Sequence, residues 1–64
     1  MQSKVAQLVK LMFDYAAKVN DDRVSVMVSR VADRLAHQGS PFERPLTLHE
    51  RAVVQFFVEM EKSA

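Results

Sequence analysis

Apolar residues recur along the chain at helical spacing in three separate stretches. From about residue 3 to residue 19, Val5, Leu8, Val9, Met12, Ala16 and Val19 fall at i, i+3, i+4 and i+7, the stripe of an amphipathic helix. Ser3 stands where an N-cap belongs, and Asn20-Asp21-Asp22 breaks the pattern. Lys10, Asp14 and Lys18 lie on the opposite side at i, i+4 spacing, as exposed, mutually paired charges do.

The second stretch, about 22–38, carries Val24, Met27, Val28, Val31 and Leu35 on one stripe. Asp21 or Asp22 caps its start, where negative charge suits the positive end of the helix, and Gly39 supplies a left-handed stop. The run VSVMV alternates as a strand does, but only over 24–28, while the helical stripe continues unbroken beyond it. A helix is predicted.

GSPFERPL, residues 39–46, is the connector, because Pro41 and Pro45 exclude helix and stiffen the chain. Phe42 within it is expected to tuck inward and close the end of the core, the alternative being a rigidly displayed contact. TLHE, residues 47–50, is a capping box: the Thr47 hydroxyl accepts from the Glu50 amide while the Glu50 side chain reaches back. A third helix is predicted from there to about Lys62, with His49, Ala52, Val53, Phe56, Phe57 and Met60 along its main face. The expected fold is a single all-α three-helix domain over residues 1–64. A helical hairpin is joined, through the proline-containing loop, to a third helix that crosses it.

The apolar surface exceeds what one such core can absorb. On the first helix the stripe is flanked by Leu11 and Tyr15 on one side and by Ala6, Phe13 and Ala17 on the other. That is wider than the arc of roughly 100° or somewhat more that a surface helix needs. Val54 and Val58 fall outside the main face of the third helix, and Val26 lies far from the stripe of the second. Single exposed valines are ordinary. Together, however, Leu11, Tyr15, Val26, Val54 and Val58 read as a partner-binding surface, most simply that of a symmetric homodimer. Burying four such side chains at about 2 kcal/mol each rivals the whole stability of a small domain.

Composition narrows the function. A chain of 64 residues has a marginal core, and with no cysteine it has neither disulfides nor thiolate metal sites to reinforce it. Good packing or oligomerisation remains. The net charge of +1 carries no bulk signal for nucleic acid. MQSKVAQLVK is interrupted by Lys4, Gln7 and Lys10 and lacks the apolar run of a signal peptide, and no stretch reaches the roughly 18 apolar residues of a membrane span. A cytoplasmic protein without membrane contact is expected.

Catalytic chemistry finds no constellation. Ser25, Ser29 and Ser40 have no base at readable spacing, Glu59 and Glu61 point to different sides of a helix, and a single glycine excludes a phosphate-cradling loop. His49 reads as a core-edge residue, and His37 as a charge suited to a helix C-terminus. No metal or cofactor is expected. Arg23, Arg30 and Arg34 share one edge of the second helix and form a candidate anion-binding row, although Asp22 and Asp33 partly neutralise it. A helix-turn-helix drawn from Leu8 to Leu35 would place Asp21 and Asp22 against phosphate and offer a valine-rich reading face. The sequence therefore points to a non-enzymatic protein–protein interaction module, a small adaptor or regulator binding a protein partner or itself. A nucleic-acid-binding regulator using the arginine edge is the alternative.

Overall fold

The computed structural model describes residues 4–38 and 40–63. It contains three α-helices: α1 (Lys4–Lys18), α2 (Asp22–Ala36) and α3 (Leu48–Lys62). Among the described residues there is no strand, and the VSVMV run is helical throughout. The expected cap at Ser3 and stop at Gly39 lie outside the described residues.

α2 starts where it does because of Asp21. This residue is extended (φ −140°, ψ 110°), and its Oδ1 accepts from the amides of Arg23 at 2.9 Å and Val24 at 3.2 Å. Those amides have no partner within the helix, so the carboxylate satisfies them and the helix begins at the next residue. Only residues 19–21 separate α1 from α2, so the chain doubles back and the two helices pack along each other. Near this closed end the Ser25 hydroxyl donates to the Ala16 carbonyl at 2.8 Å. That bond ties α2 to the last turn of α1.

The core is small. Leu8, Met12 and Ala16 from α1, Val28, Val31 and Ala32 from α2, and Phe57 from α3 are buried. Leu11, Tyr15, Val24, Met27, Leu35, Val53, Val54 and Val58 are half-buried around them. The stripes predicted for α1 and α2 therefore face inward, with Ala32 added to the second. Val5 is the exception on α1 and is half exposed. Alanines at buried positions let helix axes approach closely.

The face of α3 differs from expectation. His49, Ala52 and Phe56 are exposed, while Phe57 is buried and Val53, Val54 and Val58 pack on the core. The helix is thus rotated so that Val54 and Val58 turn inward and the 49–52–56 row turns to solvent. The physical reason lies in two consecutive phenylalanines: their directions differ by about 100°, so only one can occupy the centre of the contact. Phe57 takes it, meeting Tyr15 edge-on at 5.2 Å and Phe56 edge-on at 5.3 Å.

Phe42 is also corrected. It is 95% exposed rather than tucked into the core. The amide of Glu43 donates to the Ser40 carbonyl at 3.1 Å, and the amide of Phe42 to the Ser40 hydroxyl at 3.3 Å. This turn sets Pro41-Phe42 on its outer corner. The segment that follows is anchored by polar contacts from Arg34 and Gln38.

At the start of α3 the capping box forms as the sequence predicts. Thr47 (φ −71°, ψ 168°) accepts from the Glu50 amide at 3.2 Å, and Glu50 Oε1 accepts from the Thr47 amide at 2.9 Å. Thr47→Ala removes the first bond. It is expected to lower stability by about 1 kcal/mol, read as a fall in the denaturation midpoint at unchanged slope.

A candidate interaction groove between the second and third helices

An open groove lies between α2 and the first turn of α3. The groove encloses about 560 Å³ and is lined by Val26, Met27 and Val31 of α2 with His49 and Glu50 of α3. Asp22, Arg23 and Arg30 stand at its rim. Met27 and His49 also line an adjoining hollow of about 330 Å³, whose walls include Tyr15, Val53 and Phe56. Both hollows are mainly apolar, and exposed side chains line them: Val26, 50% exposed, lines the first and Phe56, 57% exposed, the second. A separate hollow, between Lys4, Val5 and Leu8 of α1 and Val58, Glu61 and Lys62 of α3, has charged residues at its edges.

Of the five positions expected at a partner surface, Val26 and Tyr15 line the two adjoining hollows, Val58 lines the separate one, and Leu11 and Val54 line none of the three. Leu11, Tyr15, Val54 and Val58 are half-buried against the core and offer only part of their surface, whereas Val26 is open on the groove. The surface residues that sequence reasoning missed are Leu48 and Phe56, with Ala52 between them, an i, i+4, i+8 row along α3. The adjacency of Phe56 and Phe57 was the available signal.

The arginine edge divides in the same way. Arg23 and Arg30 are exposed and make no ion pair with the other described residues. Arg34 turns instead to the connector and α3. Its Nε donates to Glu43 Oε1 at 3.2 Å, its Nη1 to the Glu50 carboxylate, and its Nη2 to the carbonyls of Arg44 at 3.0 Å and Pro45 at 3.1 Å. Gln38 Nε2 adds a bond to the same Arg44 carbonyl at 3.1 Å. This fork joins α2, the loop and the start of α3, and it holds Glu50, which lines the groove. Of the three arginines on the candidate anion-binding edge, Arg34 is thus engaged within the chain, while Arg23 and Arg30 are exposed.

Glu50 serves both the cap and the fork. Its carboxyl is held down to about 2 from an ordinary 4.5, first by the bond from the Thr47 amide and then by the Arg34 guanidinium. The linkage sign follows. A carboxylate depressed in the folded state stabilises fully above about pH 4.5, and that contribution is lost as pH falls towards 2. Acid unfolding is expected to show a component in this window, and Glu50→Gln should flatten it in a circular-dichroism titration. His37 moves the other way. Its pKa is raised, chiefly by the 2.7 Å bond from its ring to the Asp33 carbonyl and then by the Asp33 charge.

Among the described residues no three His, Asp or Glu side chains gather as metal ligands, and no helix is long and apolar enough to cross a membrane. His49 makes no side-chain hydrogen bond there, so nothing orients it as a base. No protein-family model, no curated protein and no solved structure matches the chain.

Proposed function

We propose that this chain is a non-enzymatic protein–protein interaction module, a small adaptor or regulator that seats an amphipathic helix in the groove between α2 and α3. The observation that carries this reading is the pair of adjoining hollows lined by Met27, Val31 and Val53 and by Val26 and Phe56, the last two half exposed. Apolar helices commonly dock into grooves of this kind through anchors at i, i+3, i+4 and i+7. Removing Val26 and Phe56 from water offers about 1–2 kcal/mol each, against the cost of association. Arg23 and Arg30 at the rim favour a partner carrying carboxylates beside its apolar stripe.

A nitrogen-15 NMR titration of the full chain with a synthetic amphipathic helix, leucine on one face and glutamate on the flanks, tests the reading. Amide shifts are expected at Val26, Met27, His49, Ala52 and Phe56, and Phe56→Asp should abolish them while the helical signal persists. If neither peptide addition nor protein concentration moves those amides, the groove is not a binding site.

A further inference from the structure

We infer that one occupant of this face is a second copy of the chain, packed α2 against α2 about a two-fold axis at Val26. The inference rests on the interaction reading above and names its partner. Asp22, Val26 and Arg30 are spaced four apart and form one i±4 ridge on the exposed side of α2. All three are exposed, and neither Asp22 nor Arg30 has an ion-pair partner among the described residues.

Val26 lies midway between the two opposite charges. When such a ridge is laid antiparallel on its own copy, Val26 meets Val26, Asp22 meets the partner's Arg30, and Arg30 meets the partner's Asp22. Each ion pair appears twice, as an isologous contact requires. The same charges laid parallel place Asp22 on Asp22 and Arg30 on Arg30, so the pattern selects the antiparallel register by repulsion of the wrong one. Beside the ridge lies the apolar groove, with Met27 among its lining residues. A standard interface takes about 800 Å² from each partner, roughly a sixth of this chain's 5079 Å² surface. The net charge of +1 offers little overall repulsion between copies.

Two measurements test this. Because the chain has no cysteine, Val26→Cys can oxidise only between copies, and its cysteine would sit on the two-fold axis. Under mild oxidant it should form the covalent dimer at least about tenfold faster than Gln55→Cys, an exposed α3 control. Asp22→Lys and Arg30→Glu should each weaken self-association about tenfold or more in light scattering across a dilution series. Mixed in equal amounts they should restore it as the heterodimer, where both pairs are again opposite in charge. Unfolding cannot produce that rescue. The inference is overturned by a constant 7.3 kDa mass at millimolar concentration, by equal oxidation rates for the two cysteines, or by a mixture that associates no better than the single variants. If the groove amides still respond to the amphipathic peptide in those cases, the interaction reading stands and only the second copy falls.

Discussion

Phe57→Ala is expected to destabilise the protein by about 3–5 kcal/mol, the usual cost of emptying a phenylalanine site in a core. A 64-residue domain has a total of only about 3–10 kcal/mol to lose. Phe57 is 1% exposed and is the one buried side chain that α3 contributes among the described residues. Its ring makes T-shaped contacts with those of both Tyr15 and Phe56. Removing it leaves α3 attached by half-buried valines and by the Arg34 fork, so most of the population should be unfolded or have α3 detached. Loss of the helical signal at room temperature, or a denaturation midpoint near zero urea, checks this. Phe57→Leu keeps most of the volume and should cost distinctly less. An alanine variant with a wild-type midpoint would mean that α3 is held by something other than its core contact.

The second large effect is expected at Arg34. Arg34→Gln removes the charge and breaks up the four contacts to Glu43, Glu50, Arg44 and Pro45. It leaves the Glu50 carboxylate, 14% exposed, facing α2 without its counter-charge. Exposed ion pairs contribute little, but this one is mostly covered and is part of a network that spans three segments. The melting temperature should fall further than in Thr47→Ala, and amide exchange should quicken across the stretch from Arg44 to Glu50. Arg34→Lys should recover only part, because a single ammonium cannot serve acceptors spread around a planar fork. Since the fork holds Glu50 against the groove, Arg34→Gln should also weaken binding of the amphipathic peptide at temperatures where the helices persist. An unchanged melting temperature would reduce the fork to a solvated surface contact.

These two positions show why the site was less legible than the helices. Arg34 was readable as one of three arginines on an edge, since spacing reports which residues share a helix side. It does not report that the connector folds back over that side and offers a carboxylate and two carbonyls, because those partners lie 9–11 residues away in sequence. Phe42 was misjudged for the same reason. Prolines restrict its neighbours' dihedral angles, yet the side of the turn that faces the body depends on where Arg34 grips the loop.

The sequence by itself determined the local elements. Apolar periodicity placed three helices within a residue or two of their ends, Asp21 started the second and the Thr47–Glu50 box started the third. Each of these signals acts between residues no more than four apart, where chain geometry leaves few alternatives. Only the tertiary structure decided how α3 is rolled. Leu48, Ala52, Val53, Val54, Phe56, Phe57, Val58 and Met60 spread apolar surface over most of its circumference, so more than one face could have turned inward. The choice came from packing Phe57 against Tyr15 while Arg34 held Glu50, and it left Phe56 and Leu48 outside with Val26. Burial is a property of the neighbours, and the neighbours are supplied by the fold.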